Sequence, residues 1–342
     1  MEVDQESKTT ETMQSDSTQN INQTILNTEQ PICVITLGMA GSGKSSLISK
    51  LITYLYGKNM PPYVVNCDPA CLNTDYLCNV DIRDTIHYKN VMQKYGLGPN
   101  GSIITSLNLF VTNFDQVIGL IDKRKEQHKY VLFDTPGQVE VFTWSASGSI
   151  ITEALASKYP TVILFVIDTV RSHNPTTFMS NMLYACSIVY KYKLPMIVAL
   201  NKNDVIDTKF AIEWMQNSEI FEAAINKDPT YMACLNQALT SALDIFYQDL
   251  PVVSISAKTG QGFDNLIASI HTAAKDYEEN YRPEIERRKQ EEQVRQLNRE
   301  TNDLKLNEDN AEDNVPERND SLAKPNNDED LITFGPKKSF EF

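Results

Sequence analysis

The sequence predicts a three-layer α/β fold in which helices cover both faces of a mainly parallel β-sheet. Short apolar segments rich in β-branched residues alternate with longer segments of helical periodicity. Strands that are apolar along their whole length are typical of parallel sheets buried on both faces. The predicted strands are residues 32–37, 63–67, 130–133, 161–167, 195–200 and 252–255. Ligands bind such sheets at the carboxyl ends of the strands, so the polar motifs that follow these strands predict the functional site.

A glycine-rich loop follows the first predicted strand. Residues 38–45 (GMAGSGKS) fit the pattern G-x-x-x-x-G-K-[ST] between a strand and a helix, which is typical of P-loop NTPases. Glycines allow backbone N–H groups to surround phosphate oxygens at the start of the helix. We expect Lys44 to reach the terminal phosphates and the Ser45 hydroxyl to ligate Mg²⁺. The residues predicted to bind the nucleotide here are Gly41, Ser42, Gly43, Lys44, Ser45 and Ser46.

Two motifs after later strands predict the base. In residues 201–204 (NKND), the Asp204 carboxylate can accept hydrogen bonds from the ring N–H and amino group of guanine. Adenine presents an acceptor at that edge and would leave the charge unpaired. Residues 256–258 (SAK) add the Ala257 N–H, which we expect to face the guanine oxygen. Either motif alone can be a surface turn, but after a phosphate loop they predict GTP or GDP. The predicted base contacts are Asn201, Lys202, Asp204 and Ala257.

Another motif, residues 134–138 (DTPGQ), follows the third predicted strand. Asp134 is expected to hold the Mg²⁺ shell together with Ser45, and the glycine after it can move toward the γ-phosphate. Gln138 either orients the attacking water or is an ordinary polar residue at the start of a loop. The motif therefore predicts the part of the site that responds to the nucleotide.

Two charged residues between the second and third predicted strands have alternative interpretations. Asp68 contacts the metal or the attacking water, or it caps a turn, because Asp-Pro sequences favour turns. Arg83 neutralises phosphate charge or pairs with its neighbours, as exposed charges usually do. We include Asp68 among the predicted catalytic residues and leave Arg83 out.

Both ends of the chain are acidic and poor in aromatic residues. Residues 1–30 contain six acidic residues against one basic residue, and residues 284–342 contain 16 against 10, while the remainder has a net charge of −3. Segments of this composition bury too little apolar surface to offset their chain entropy. We predict a disordered tail at 1–30, a GTPase domain at 31–282, a helical insertion at about 205–250, a helical extension at 283–305 and a disordered acidic tail at 306–342.

The composition also bears on partners and location. No basic face argues for direct nucleic-acid binding, and no apolar run approaches the roughly 20 residues that cross a bilayer. The six cysteines lack paired C-x-x-C spacing, which suits a reducing compartment. We therefore expect a cytoplasmic protein that binds neither nucleic acid nor membrane.

A further motif, Gly98-Pro99-Asn100, would on its own indicate a turn. Together with the phosphate loop, residues 134–138 and residues 201–204, it makes residues 31–282 resemble the GPN-loop GTPases. Residues 138–148 (QVEVFTWSASG) and the acidic C-terminal segment resemble the first, long-tailed eukaryotic paralogue of that family. The resemblance implies a dimer in which Asn100 of one subunit stabilises the phosphate bound to the other. The predicted catalytic residues are then Asn100, Gln138, Asp68 and Lys44.

The resemblance also implies partners. These are a paralogous GTPase or a second copy as dimer mate, and RNA polymerase II as the client of an assembly and nuclear-import factor that shuttles to the nucleus. The apolar insertion either presents a groove to a client peptide or packs its large side chains into its own small core. A scaffold stabilised by nucleotide with little turnover, and more distantly a metabolic kinase, are the alternatives to a GTPase.

Overall fold

The structure is a computed structural model that describes residues 30–225, 243, 246–247, 250–287, 290–291 and 294–295. The chain divides into two units, Met1–Arg288 and Lys289–Phe342, and the first contains all elements described below. The predicted tails at 1–30 (Gln30 apart) and 306–342 lie outside the described residues. So do most of the second half of the predicted insertion and much of the predicted extension at 283–305.

The described part of the chain contains a seven-stranded parallel sheet in the order β3-β2-β4-β1-β5-β6-β7. Its strands are β1 (Ile32–Leu37), β2 (Tyr63–Asn66), β3 (Val80–Asp81), β4 (Tyr130–Asp134), β5 (Thr161–Asp168), β6 (Met196–Asn201) and β7 (Val252–Ser254). The six predicted strands are confirmed. The sequence did not predict β3, because two residues are too few to show a periodicity.

Helices follow most strands, as a parallel sheet requires. They are α1 (Lys44–Gly57), α2 (Ile82–Thr85), α3 (Tyr88–Tyr95), α4 (Pro99–Val111), α5 (Phe114–Arg124), α6 (Val139–Thr143), α7 (Ala146–Ala156), α8 (Pro175–Tyr192), α9 (Lys209–Gln216), α10 (Ser218–Ile225) and α11 (Phe263–Asp276). A 3₁₀ turn at Arg171–His173 precedes α8, and a π turn at Tyr277–Tyr281 follows α11.

The core lies in two layers on opposite faces of the sheet. Val34 and Leu164 belong to the layer covered by α1 and α11. Their neighbours Ile35 and Ile163 belong to the larger layer covered by α4, α5, α7 and α8. Successive residues of a strand point to opposite faces of the sheet. Because both faces are buried, the strands need apolar residues at successive positions instead of an alternation of apolar and polar residues. The predicted three-layer fold is confirmed.

The first half of the predicted insertion packs against α8. The ring of Phe178 in α8 lies 5.3 Å from that of Trp214 in α9 and 5.5 Å from that of Phe221 in α10, both edge-on. Phe178 and Phe221 are fully buried. These side chains therefore extend the main core. Leu235 and Leu239, two further large apolar residues of the predicted insertion, lie outside the described residues.

No single helix in the described ranges is long and apolar enough to cross a membrane. Helices α4 and α5, which meet at a bend of 60°, pass that test of length and composition only when taken together.

Candidate nucleotide-binding site

The phosphate loop is held between β5 and the end of β6. Gly43 adopts φ 95°, and a Cβ at this position would lie 2.5 Å from Asn201 Nδ2. Gly38 adopts φ 148°, and its Cβ would lie 2.3 Å from the carbonyl oxygen of Val166. Both positions combine a left-handed backbone with a close approach, so only glycine fits them. The first and last glycines of the motif thus fix the path of the loop.

Lys44 joins the phosphate loop to the DTPGQ segment. Its Nζ donates to the carbonyl oxygens of Gly38 at 2.7 Å, Met39 at 3.2 Å and Gly137 at 3.2 Å. Burial lowers the pKa of Lys44, and the charges of Asp134, Asp68 and Glu140 oppose that change. The ammonium group therefore lies at the point where the predicted phosphate and metal residues converge.

Asp134 is buried at the end of β4, and its two oxygens have different surroundings. Oδ2 accepts a hydrogen bond of 2.6 Å from the Tyr76 hydroxyl. Oδ1 is buried and has no hydrogen-bond partner in the described part of the chain. Burial raises the pKa of Asp134, and the neighbouring Tyr76 and Ser45 hydroxyls and the Lys44 charge oppose the rise. An orphaned carboxylate oxygen beside a serine hydroxyl is the kind of hard oxygen set that suits Mg²⁺.

The surroundings of Asp68 are compatible with both of its interpretations, as a turn cap and as a contact to the metal or the attacking water. Its Oδ1 accepts a hydrogen bond of 2.9 Å from the Ala70 N–H, which is the predicted turn cap. Burial raises the pKa of Asp68, the charge of Asp134 adds to the rise, and the Gly137 N–H and Lys44 oppose it. The carboxylate therefore caps the turn and also lies beside Lys44 and the DTPGQ segment.

The remaining predicted catalytic residues lie on the surface. Gln138 is exposed at the N-terminus of α6. Asn100 is exposed as the second residue of α4, which begins at Pro99, so the Gly-Pro-Asn motif starts a helix instead of forming an isolated turn. Proline is favoured at this first helical position because an N–H group there would have no partner within the helix, so its absence costs nothing. No hydrogen bond among the described residues joins Asn100 to the phosphate loop.

Arg83, left out of the catalytic residues, pairs with its neighbours. Its Nη2 lies 2.6 Å from Asp81 Oδ2, and Nη1 donates to the carbonyl oxygens of Cys71 at 3.0 Å and Leu72 at 3.3 Å. The guanidinium group therefore anchors the β2–β3 connection.

Asn201 links the phosphate loop to both base motifs. Its Nδ2 donates to the carbonyl oxygen of Ser42 at 2.8 Å, and its Oδ1 accepts from the N–H groups of Lys202 at 2.8 Å and Ala257 at 3.0 Å. The Ala257 N–H, predicted to face the base, is thus bonded to Asn201 in this structure. Asp204 is exposed, and its Oδ1 accepts from the Ser256 hydroxyl at 2.6 Å. The other carboxylate oxygen of Asp204 is left to accept from a base.

Asp168 and Arg171 lie beside the phosphate loop and were not among the predicted site residues. Lys202 Nζ lies 2.7 Å from Asp168 Oδ2 and donates to the Gly41 carbonyl oxygen at 3.1 Å. Arg171 Nη1 donates to the Ala40 carbonyl oxygen at 3.2 Å. The signal for Asp168 was its position directly after the predicted strand at 161–167, because Asp134 and Asn201 also follow predicted strands directly. Arg171 has no such signal, because it lies in a 3₁₀ turn.

Comparison with known proteins places this site in a family. A family model described as "Conserved hypothetical ATP binding protein" matches residues 36–276. A protein named GPN-loop GTPase 1 from Schizosaccharomyces pombe is 44% identical over 325 residues, which cover 89% of each chain. A second GPN-loop GTPase 1, from Dictyostelium discoideum, is 51% identical over 263 residues, which cover 77% of this chain but only 66% of that protein. The chain belongs to the GPN-loop GTPase family.

Membership of this family makes the chain a GTPase. The sequence identities also show which paralogue of the family it resembles most. A GPN-loop GTPase 3 from Kluyveromyces lactis is 30% identical over 259 residues, well below the GPN-loop GTPase 1 proteins. The solved structure of a GTPase in apo form from Pyrococcus abyssi matches with a TM-score of 0.63 at 25% identity, covering 71% of this chain and 97% of that one. The resemblance to the first GPN-loop paralogue is confirmed. Guanine nucleotide binding follows from the family, although the family model's description mentions ATP.

Proposed function

We propose that this GPN-loop GTPase acts as a dimer that hydrolyses GTP to GDP and phosphate with Mg²⁺. The observation that carries the proposal is the separation of its predicted catalytic groups. Lys44, Asp68 and Asp134 converge in one chain, whereas Asn100 is exposed at the start of α4. An exposed amide donor is available to the nucleotide of a second subunit, where it can stabilise charge on the transferring phosphate.

Mg²⁺ fits the residues at the end of β4. Ser45 and the orphaned Oδ1 of Asp134 supply oxygen atoms of the type that Mg²⁺ prefers. When bound, the ion neutralises negative charge on the phosphate oxygens. Ser45 would hold it directly, and Asp134 would hold its water shell.

The chain's own residues then have distinct tasks in hydrolysis. Lys44 exchanges its carbonyl acceptors for oxygens of the terminal phosphates. Asp68, beside Lys44 and Gly137, accepts a hydrogen bond from the attacking water and orients it, and Gln138 is the second candidate for this task. The water oxygen bonds to the γ-phosphorus as the bond to the bridging oxygen breaks.

We further propose that nucleotide state controls assembly and nuclear import of RNA polymerase II, with the protein moving between cytoplasm and nucleus. The support comes from resemblance to the first GPN-loop paralogue and from a surface cavity of about 640 Å³ beside α9. Its lining includes the apolar side chains of Ile212, Met215, Leu250 and Val252. A concave surface whose lining includes apolar side chains can accept side chains of a client peptide.

The decisive experiment measures GTP hydrolysis at several protein concentrations with Mg²⁺. Specific activity should rise with concentration, because the complete site needs two subunits. An Asn100→Ala variant should lose most of this activity while still binding GTP. The matched control is Asn90→Ala, which removes an exposed asparagine from α3.

Two results would contradict parts of the proposal. Wild-type turnover in Asn100→Ala would remove the role of the Gly-Pro-Asn motif. Tight GTP binding without turnover at any concentration, alone or with a paralogue, would favour the scaffold stabilised by nucleotide. For the client, depletion of the protein should leave polymerase subunits in the cytoplasm.

A further inference from the structure

Tyr76 is a buried tyrosine in an otherwise exposed connection. It lies between β2 and β3, where Leu72 is 85% exposed and Leu77 is 93% exposed, yet Tyr76 itself is only 9% exposed. Its hydroxyl donates the 2.6 Å hydrogen bond to Asp134 Oδ2. Thus the connection turns apolar leucines toward solvent while it buries a tyrosine against the carboxylate predicted to serve the metal.

The position of the Tyr76 ring is fixed by packing. The ring belongs to a small core cluster with Ile48 of α1 and Val64 of β2. The Ser49 hydroxyl of α1 donates to the Asp75 carbonyl oxygen at 3.2 Å, which ties the preceding residue to the same helix. A packed ring fixes the position of its hydroxyl oxygen, here within hydrogen-bond distance of Asp134 Oδ2. The bond to Asp134 is therefore preorganised by the fold.

This bond makes the two oxygens of Asp134 unequal. A free carboxylate can present either oxygen, since rotation about its last bond exchanges them. With Oδ2 engaged by Tyr76, the buried Oδ1 is the oxygen that has no hydrogen-bond partner of normal geometry among the described residues. Hydrogen bonds to metal-associated carboxylates generally fix their orientation and increase metal affinity.

We infer that Tyr76 is a positioning residue that orients Asp134 for the Mg²⁺ shell. The inference rests on the proposed Mg²⁺ site and deepens it. Tyr76 acts only through Asp134 and contacts neither nucleotide nor metal. Its effect should appear in the dependence of nucleotide binding on Mg²⁺ and should be absent from nucleotide binding without metal.

The test uses the full chain and the variant Tyr76→Phe, which keeps the packed ring and removes only the hydroxyl. Affinity for a fluorescent GDP analogue is measured in EDTA and across a Mg²⁺ titration. The affinity in EDTA should equal that of the wild type. The Mg²⁺ concentration at half-maximal effect should rise by about tenfold, the lower end of the effects seen when such hydrogen-bond partners are removed. GTP turnover should fall at low Mg²⁺ and recover at saturating Mg²⁺.

Tyr159→Phe is the matched control. The buried Tyr159 also donates to an aspartate, with a bond of 2.7 Å to Asp122 Oδ1, but this pair lies at α5 and outside the site. Thermal unfolding in EDTA records what each variant loses in stability. Only Tyr76→Phe should move the Mg²⁺ midpoint.

Three results would overturn the inference. They are an unchanged Mg²⁺ midpoint in Tyr76→Phe, an equal loss of affinity with and without metal, and a similar midpoint shift in Tyr159→Phe. Absence of wild-type turnover would instead contradict the proposed hydrolysis. The binding titration would still test Tyr76 in that case, so the two failures are distinguishable.

Discussion

Asn201 Nδ2 donates a hydrogen bond of 2.8 Å to the carbonyl oxygen of Ser42. The same side chain accepts from the Ala257 N–H at 3.0 Å. One amide at the end of β6 thus joins the phosphate loop before α1 to the loop after β7. Because the amide is buried, these bonds are shielded from competing water. The phosphate and base halves of the site are therefore held together by the protein.

Asn201→Asp should weaken GTP and GDP binding to the same extent. The substitution keeps the shape but places an oxygen where Nδ2 now donates to Ser42, so two acceptors face each other. Losing a buried hydrogen bond and leaving its partner unsatisfied costs about 1–3 kcal/mol, which corresponds to roughly a 5- to 150-fold loss of affinity. Calorimetric titration with both nucleotides measures this effect.

The control for this variant is Asn217→Asp. Asn217 is an exposed residue whose Oδ1 accepts from the N–H of Glu219 at 3.0 Å. Aspartate can accept the same bond, so nucleotide binding should be unchanged. A loss confined to GTP in Asn201→Asp, with GDP binding intact, would show that Asn201 does not act by joining the loops.

Asp204→Asn should change the base preference of the site from guanine to xanthine. The Ser256 hydroxyl holds Oδ1 of Asp204 at 2.6 Å, so an amide in the same orientation would direct its NH₂ group toward the base. Guanine then meets a donor where it needs an acceptor, whereas xanthine offers a carbonyl oxygen at that edge. Two charge-assisted hydrogen bonds of about 1.5–3 kcal/mol each are lost for GTP, so its affinity should fall at least about 100-fold.

Competition between GTP and XTP for a fluorescent nucleotide measures the exchange. Asp207→Asn is the control, since this exposed carboxylate three residues later bonds the Lys209 N–H instead of a base. Unchanged GTP affinity in Asp204→Asn would refute the base assignment.

Much of the fold could be predicted because its strands are buried on both faces. Such strands appear in the sequence as unbroken apolar segments, and β5, buried from Thr161 to Asp168, is an example. The strand β3 could not be found this way, because it contributes one apolar residue, Val80, before Asp81. Gly98-Pro99-Asn100 indicated a turn from its residues, yet Pro99 at a first helical position begins α4. In both cases the sequence signal, one apolar residue in β3 and three residues at the start of α4, is too short to identify the element.

Candidate site residues could be assigned where residue spacing carries the chemistry. Lys44 and Asp134 were assigned from such motifs, and the structure places Lys44 at the start of α1 and Asp134 at the end of β4. Tyr76, which bonds Asp134 from 58 positions away, follows no spacing rule. Arg171 reaches Ala40 across 131 positions. Such partners become visible only when the sheet brings their loops together.

Gly148→Ala should destabilise the protein, because Gly148 lies against the segment that follows Asp134. A Cβ at Gly148 would lie 2.0 Å from the carbonyl oxygen of Phe142 in α6. The backbone of α6 or α7 must shift to accept it, and overpacking of this kind costs about 1–3 kcal/mol. Urea unfolding should therefore show a lower free energy of unfolding.

Gly119→Ala is the control for that substitution. Gly119 lies inside α5, and a Cβ there would meet nothing within 4 Å. Alanine should stabilise the helix by about 0.5–1 kcal/mol at such a position. Equal changes in the two variants would mean that the contact with Phe142 does not determine the effect.

The two interpretations of the helical insertion can be separated with Phe221 and Met215. Phe221 is fully buried, with its ring 5.2 Å from that of Trp214, so Phe221→Ala should lower the free energy of unfolding by about 3–5 kcal/mol. Met215 is half-buried in the lining of the surface cavity. Met215→Glu should therefore change stability far less, but it places a charge where a client's apolar side chain would bind.

Urea unfolding measures the first effect, and binding of labelled polymerase peptides to the GTP-bound protein measures the second. Ala223→Glu is the matched control, because it adds the same charge at an exposed position of α10 that does not line the cavity. If the cavity receives the client, only Met215→Glu should lose peptide binding. Unchanged peptide binding in Met215→Glu would exclude the cavity as the client site and leave these helices with the packing role that Phe221 and Trp214 already perform.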